Sequence, residues 1–146
     1  MAKVSTYLNF QRNTEQAFHF YQSVFGGEFV GGISRFSDIP PSNDMPPLPE
    51  ADKNLVMHVV LPILGGHLLM GTDAPESMGF NLTFGNNIYI SLEPDTREET
   101  KRLFKALSEG GNVEMELQDM FWGDYYGSLT DKFSVRWMFN CAEKNK

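Results

Sequence analysis

The spacing of hydrophobic positions changes from a period of two to a helical period, and this change occurs twice along the chain. Residues 4–10 are apolar or β-prone, and they lead into a helical face that Gly26-Gly27 ends. The apolar positions of that face are Ala17, Phe18, Tyr21, Val24 and Phe25. The pattern predicts a strand, a helix over about 14–25, and a second strand over 28–36, which Gly31-Gly32 weakens.

The second half of the chain repeats these signals in the same order. Residues 87–93 alternate as a half-buried strand, Thr96 and Glu99 form a capping box, and Gly110-Gly111 ends the helical spacing. Further strands are expected at 55–62 and 67–72 in the first half, and at 113–122, 125–129 and 135–140 in the second. We therefore predict an α+β fold, a single domain over residues 1–146 made of two βαβββ modules at about 1–75 and 84–141.

The stretch between the second and third predicted strands, residues 37–53, is rich in proline. Its prolines are Pro40, Pro41, Pro46, Pro47 and Pro49. Proline has no backbone N–H, so regular hydrogen bonding is excluded here. Two interpretations stay open, an irregular surface loop and a lid over a binding site.

A histidine and an aspartate are the candidate acid–base pair. A two-residue hairpin turn at Gly65-Gly66 would place His58 opposite Asp73. His58 is then either a partly buried histidine that Asp73 satisfies, or a general acid or base that Asp73 orients. We expect His67 and His19 to be solvated surface residues.

The strands of the second module also predict a mixed polar and aromatic face turned away from the helix. Such a lining is typical of a small-molecule cavity, and the alternatives are a solvent-facing sheet or a dimer surface. Arg136 would pair with Glu116 across this face or bind an anionic group. The candidate ligand-binding residues are Tyr89, Glu116, Gln118, Trp122, Tyr125, Tyr126 and Arg136.

Composition and charge narrow the possible functions. The 146 residues carry 12 Lys+Arg against 19 Asp+Glu, a net charge of −7, which argues against nucleic-acid binding. No apolar run is long enough to cross a membrane, and the first residues lack a secretory signal, so we expect a cytoplasmic protein with no membrane partner. The single cysteine, Cys141, is expected to be a buried apolar residue, and no side chain has a pattern typical of a nucleophile.

Several segments carry a resemblance to a known family. They are Tyr7-Leu8-Asn9-Phe10, residues 15–28, Met57-His58, residues 69–73, and above all Trp122-Gly123-Asp124-Tyr125-Tyr126-Gly127 followed by residues 131–137. With the duplicated modules, they resemble the glyoxalase/bleomycin resistance/dioxygenase (vicinal oxygen chelate) superfamily, in its PhnB-like branch. The resemblance implies a cup-shaped mixed sheet with helices outside, a cavity in the cup, and a homodimer.

The resemblance also permits a test for a metal site. Superfamily members that do chemistry hold a divalent metal through His or Glu on the first, fourth, fifth and eighth strands. The matching positions here are Thr6, then Leu69 or Gly71, then Asn87 or Tyr89, and Met138. None is His, Asp or Glu, so we predict no metal and no cofactor; His58 and Glu116 alone are too few for an altered site. Members are sometimes labelled ubiquinone-ring methyltransferases, but the sequence has no S-adenosylmethionine motif.

Three functions are therefore compared. The first is a metal-free protein that binds a small organic molecule in the cup. The second is a metal-dependent lyase, isomerase or dioxygenase with a displaced metal site. The third is a drug-sequestering resistance protein whose acidic groups hold a cationic aromatic compound, which the acidic pI favours over an anionic ligand.

Overall fold

The computed structural model describes residues 2–40 and 47–144 of the chain. Its α-helices and strands are, in order, β1 (Thr6–Phe10), α1 (Thr14–Phe25), β2 (Ser34–Arg35), β3 (Val56–Pro62), β4 (Leu68–Asp73), β5 (Ile90–Leu92), α2 (Arg97–Ser108), β6 (Asn112–Asp119), β7 (Tyr125–Thr130) and β8 (Arg136–Cys141). Single 3-10 turns lie at Phe36–Asp38, Glu50–Asp52, Leu64–Gly66 and Glu76–Met78. The chain divides into two compact units, residues 1–83 and 84–146, called here the N-terminal and C-terminal units.

Each unit contains one helix and one four-stranded sheet. The strand order is β1-β4-β3-β2 in the N-terminal unit and β5-β8-β7-β6 in the C-terminal unit, so the first strand of each unit lies beside the fourth. That pair is parallel in both units, whereas the other neighbours are antiparallel. The predicted α+β fold with duplicated modules is confirmed.

Helix α1 packs closely on the N-terminal sheet. Phe18 and Tyr21 on this helix are fully buried. The close packing requires glycine at position 71 on β4, because a Cβ at this position would overlap the Phe18 ring. The spacing that predicted the helix over 14–25 therefore identified the face that forms the core.

Helix α2 packs in the same way on the C-terminal sheet. Leu103, Phe104 and Leu107 are buried against the strands, where Trp137 and Phe139 are fully buried. Phe104 and Phe139 meet edge to face with ring centroids 5.5 Å apart, a favoured aromatic geometry. Cys141, the last residue of β8, is buried as its sequence context predicted.

Two predicted strands are much shorter than expected. The strand expected over 28–36 is reduced to Ser34–Arg35, because Gly31 and Gly32 both take φ near +73°, outside the extended region. The strand expected over 87–93 begins only at Ile90. Both shortened strands lie at sheet edges, where a single neighbouring strand supports them.

The described part of the proline-rich stretch is joined to the N-terminal unit by a buried carboxylate. Asp52, at 1% exposure, accepts hydrogen bonds from Arg12 Nη1 at 2.8 Å and from the Ser77 hydroxyl at 2.5 Å. Pro41 to Pro46 lie outside the described residues, and the lid interpretation stays a prediction. Within the described ranges, neither α-helix has the length and hydropathy needed to cross a bilayer.

Candidate functional site

The predicted pairing of His58 with Asp73 is wrong. Strand β3 pairs with β4 so that Val59 lies opposite Gly71, one residue away from the predicted register. The cause is the turn, which takes three residues, Leu64–Gly66, rather than two. Because side chains alternate between faces, this shift puts His58 and Asp73 on opposite sides of the sheet.

Asp73 instead anchors the start of α1. Its Oδ1 accepts the Thr14 N–H at 3.1 Å and the Thr14 hydroxyl at 2.8 Å, while Oδ2 accepts the Val56 N–H at 2.8 Å. The side chain is 2% exposed. Asn13, the N-cap residue, makes no capping bond, so a carboxylate from β4 replaces the usual local cap.

His58 lies on the face of the N-terminal sheet away from α1, beside Tyr7. The two rings stack at 5.8 Å between centroids, and the Tyr7 hydroxyl is 3.2 Å from His58 Nδ1. The side chain that contacts His58 is therefore the phenol of Tyr7 and not the predicted carboxylate of Asp73. His67 is half-buried and hydrogen bonded to the Thr6 hydroxyl at 2.9 Å, contrary to expectation, whereas His19 is 54% exposed, as predicted.

The residues at the expected metal positions do not fit a divalent metal. Gly71 faces α1, and the strand register puts Thr6 and Leu69 on that same side. Tyr89 Oη is engaged with Glu114 and Arg136, and Met138 offers only a thioether, a soft ligand. In the described ranges, no three His, Cys, Asp or Glu side chains gather in a way that could hold a metal ion. The metal-free state stays a prediction.

The candidate ligand-binding residues divide between two ends of one surface, the open face, defined as the side of the C-terminal sheet away from α2. One end carries Tyr89 and Arg136. The other carries Gln118, Trp122 and Tyr126, where the Trp122 and Tyr126 rings are 6.0 Å apart. Thr130, at the first end, is four positions beyond Tyr126 along β7, which is roughly 13 Å at the rise of a strand.

Two of the candidates are not part of either group. Tyr125 points to the helix side, where its ring lies 4.5 Å from the guanidinium carbon of Arg97 on α2. Glu116 is exposed on the edge strand β6, and its backbone carbonyl accepts the Gln118 side-chain amide. The expected pairing of Arg136 with Glu116 is wrong, since Arg136 pairs with Glu114.

The first end is built around an ion pair, and we call Tyr89, Glu114, Thr130 and Arg136 the Arg136 cluster. Arg136 Nη1 donates to the Tyr89 hydroxyl at 2.7 Å and to Glu114 Oε2 at 2.8 Å. Tyr89 donates to Glu114 Oε1 at 2.7 Å, and Thr130 donates to Oε2 at 3.1 Å. The hydrogen bond to Glu114 raises the pKa of the Tyr89 phenol, and desolvation acts in the same direction.

Strand β6 is not regular. Alternation placed Glu114 on the open face with Glu116 and Gln118, where it does lie, but Glu116 was chosen in its place as the partner of Arg136. The pairing with β7 shifts register between Val113 and Met115, and again between Met115 and Gln118. Each bulge inserts an unpaired residue and turns the following side chains to the other face. Strict alternation placed Met115 toward the helix, whereas its partner Ser128 shows that it belongs to the open face. The β-prone sequence 112–119 carries no glycine or proline that could have signalled the bulges.

A cavity of about 460 Å³ lies beside the Arg136 cluster. Its lining residues are Phe84, Gly85, Asn86, Thr130, Ser134 and Arg136, so it combines one aromatic ring with amide, hydroxyl and guanidinium groups. Sequence reasoning identified Arg136 alone among these residues.

The cavity wall includes a strained residue. Ser134 has φ of +72°, the one non-glycine residue in the described ranges with a positive φ. The buried carboxylate of Asp131 holds this turn by accepting the N–H groups of Phe133 and Val135 and the indole N–H of Trp137. Backbone strain of this kind costs about 1–3 kcal/mol and is often found at functional sites.

Comparison with known proteins places the chain in a family. A family model described as 3-demethylubiquinone-9 3-methyltransferase, the PhnB-like family, matches residues 2–139. The chain belongs to this family. The PhnB-like chain is 31% identical to Protein YjdN of Escherichia coli (strain K12) over 97% of its own length and 96% of that protein.

Solved structures agree with this assignment. Protein PA1353 from Pseudomonas aeruginosa has a TM-score of 0.79 and 34% identity, over 97% of this chain and 98% of that one. A PhnB protein from Bacillus cereus has a TM-score of 0.74 and 28% identity, over 97% and 100%. Two glyoxalase/bleomycin resistance/dioxygenase proteins at 20% and 10% identity share the fold with TM-scores of 0.62. The predicted PhnB-like family is confirmed, and the predicted fold of the glyoxalase/bleomycin resistance/dioxygenase proteins is confirmed as well.

The family description implies a methyl donor, and the residues present were tested for it. A nucleotide-type cofactor is commonly held where a glycine-rich loop follows a strand and opens a helix. The two strand-to-helix connections here, residues 11–13 and 93–96, contain no glycine. The chain's own residues therefore do not provide that cradle, and no chemical step is derived through such a donor.

Proposed function

We propose that this PhnB-like chain is a metal-free protein that binds a small organic molecule in the cavity beside Arg136. The cavity itself carries the proposal, because about 460 Å³ matches the size of a small ligand and its lining mixes one aromatic ring with a few polar groups. Phe84, 52% exposed, offers an apolar surface, while Asn86 and Ser134 offer hydrogen bonds. The strained Ser134 and the oriented Arg136 support a pre-formed site.

The metal-free part of the proposal is supported by the donor set. The strand positions used for metals in the superfamily hold Thr, Leu or Gly, Asn or Tyr, and Met in this chain. These side chains lack the imidazole and carboxylate donors that a catalytic divalent metal needs. Elemental analysis of protein purified without chelators is expected to find less than about 0.1 divalent metal ion per chain. A stoichiometric metal would favour the metal-dependent lyase, isomerase or dioxygenase instead.

A fragment screen observed by NMR tests the binding site. We expect small aromatic molecules with one polar group to shift the backbone amides of residues 84–86 and 130–136. The matched comparison is the other end of the open face, around Tyr126, whose amides should move less. Shifts confined to the Tyr126 end, or none from a diverse set at millimolar concentration, would contradict the proposal.

The expected partner is a second copy of the chain. The homodimer is proposed from the resemblance to the superfamily, and light scattering on the eluting peak of a size-exclusion column checks it. A mass of 16.6 kDa at micromolar concentration would contradict the dimer without affecting the proposed cavity.

A further inference from the structure

We propose that the cavity beside Arg136 recognises the carboxylate group of a small organic acid. The inference rests on the proposed small-molecule binding and adds the chemical class of the ligand. Three features carry it: the unused edge of the Arg136 guanidinium, the hydrogen bonds that both oxygens of the Glu114 carboxylate already accept, and a strained serine on the cavity wall.

Within the described part of the chain, Arg136 donates hydrogen bonds from one of its nitrogens. Nη1 donates to both Tyr89 and Glu114. Among residues 2–40 and 47–144, no acceptor pairs with Nε or Nη2. These two nitrogens form the side edge of the guanidinium, whose parallel N–H groups match the two oxygens of a carboxylate. The Arg136 side chain is 22% exposed, so its N–H groups have lost part of their hydration. A ligand that accepts hydrogen bonds from these N–H groups would compensate for that loss.

Both carboxylate oxygens of Glu114 already accept hydrogen bonds within the cluster. Its Oε1 accepts from Tyr89, and its Oε2 accepts from Thr130 and Arg136. A cationic ligand would have to compete with Arg136 for this carboxylate. The Nε and Nη2 donors of Arg136 favour an anionic ligand here, which departs from the cationic compound that the acidic pI suggested.

Ser134 supplies a second donor on the same side. It precedes Arg136 by two residues, and both line the cavity. In the described ranges its hydroxyl has no hydrogen-bond partner. Its backbone φ of +72° is a conformation that glycine adopts more readily than serine. A strained serine in the wall of the cavity that Arg136 also lines supports a role in ligand contact.

Benzoate is the probe, because it joins a carboxylate to a ring that can lie against Phe84. Benzamide has the same shape without the charge, and benzylamine has the opposite charge. Titrations followed by the amide shifts of residues 84–86 and 130–136 should show benzoate binding at least about tenfold more tightly than either. Phenylphosphonate tests the other common oxyanion, and tighter binding of this probe would overturn the assignment to carboxylates.

Two substitutions give opposite expected effects. Glu114→Gln removes the negative charge next to Arg136 while keeping hydrogen-bonding groups, so benzoate affinity should rise by about threefold or more. Arg136→Lys keeps the charge and loses the side edge, so benzoate affinity should fall about tenfold with little change for benzamide. Glu99→Gln, on the outer side of α2, makes the same charge change as Glu114→Gln and should leave benzoate binding unchanged.

The outcomes separate this inference from the proposed function. If benzamide and benzoate shift the same amides equally, or Glu114→Gln weakens benzoate binding, the carboxylate assignment fails while small-molecule binding stands. If Glu114→Gln does not fold, Arg136→Lys decides, since equal losses for benzoate and benzamide contradict the assignment. If none of these probes binds but other fragments shift the cavity amides, only the carboxylate assignment is overturned.

Discussion

The two units share one strand order but differ on the faces that their helices leave uncovered. In the N-terminal unit that face carries the stacked Tyr7 and His58, whereas in the C-terminal unit it carries the ion pair of Arg136 and Glu114. The faces under the helices are alike in both units, with fully buried aromatic side chains. Packing against a helix therefore constrains one face of each module, and the other face is free to differ in chemistry.

The starts of the two helices differ as well. Helix α1 is capped from outside by the buried Asp73, whereas Thr96 caps α2 locally by accepting the Glu99 N–H at 3.1 Å. A long-range cap also ties the helix to two strands, because Asp73 lies on β4 and bonds Val56 on β3. In the N-terminal unit the helix cap therefore also links the helix to two strands, whereas the cap of α2 is local.

The largest effect is expected for Asp73→Ala. The substitution removes three hydrogen bonds and leaves the N–H groups of Thr14 and Val56 without their acceptors, which should lower the free energy of unfolding by about 3–5 kcal/mol. Urea unfolding followed by far-UV circular dichroism measures this. Glu28→Ala, at an exposed position of the same unit, is the control and should change stability by less than about 0.5 kcal/mol. A cost below about 1 kcal/mol for Asp73→Ala would show that the long-range cap matters little.

Thr96→Ala tests the local cap of α2 in the C-terminal unit against the long-range cap of α1. Loss of this local cap should cost about 1 kcal/mol, several times less than loss of Asp73. The free energy of local opening, measured by hydrogen exchange at the Glu99 amide, should fall by a similar amount. Asn13→Ala is the matched substitution at the N-cap of α1, and it should cost clearly less than Thr96→Ala because Asn13 makes no side-chain cap. Equal costs at the two positions would contradict the contrast.

These contrasts separate what the sequence could predict from what it could not. Helical spacing identified α1 and α2, because a face that packs on a sheet must be apolar at regular intervals. The His58–Asp73 pairing failed because the turn at Leu64–Gly66 has one residue more than Gly65-Gly66 suggested. Met115 was assigned to the wrong face because a bulge depends on the neighbouring strand as well as on local residue types. Side chains on bulged or shifted strands are the part of the site that periodicity cannot assign.

Two ion pairs are expected to contribute differently to the loss of stability at low pH. Hydrogen bonds from the Ser77 hydroxyl and from Arg12 lower the pKa of Asp52, and a hydrogen bond from Arg97 lowers the pKa of Asp119. Since the folded pKa lies below the unfolded value near 3.9, each carboxylate stabilises the fold above about pH 4 and loses that contribution as the pH falls through the folded pKa. Asp52 is 1% exposed and Asp119 is 53% exposed, so solvent screens the second pair more.

Urea midpoints between pH 7 and pH 2.5 measure this difference. Asp52→Asn should make the loss of stability below pH 4 visibly shallower, while Asp119→Asn should follow the parent protein closely. If the two variants have the same pH dependence, burial of Asp52 does not strengthen its contribution.

The smallest effect is expected at the turns that precede the last strand of each unit. The N-terminal turn has glycine at its positive-φ positions, Gly65 and Gly66, whereas the C-terminal turn keeps Ser134 at φ of +72°. Ser134→Gly removes the strain but gives the unfolded chain more freedom, so a net stabilisation of only about 0.5 kcal/mol is expected. Ser134→Ala should leave the stability nearly unchanged, since it retains the strained backbone. Thermal unfolding and benzoate titration of both variants separate the effect of Ser134 on stability from its effect on binding.

A glycine variant that is more stable yet binds benzoate more weakly would mean that the C-terminal unit keeps the strained serine for its hydroxyl. A glycine variant that is less stable than the parent would show that the turn is not strained, and the contrast with Gly65 and Gly66 would then carry no functional meaning.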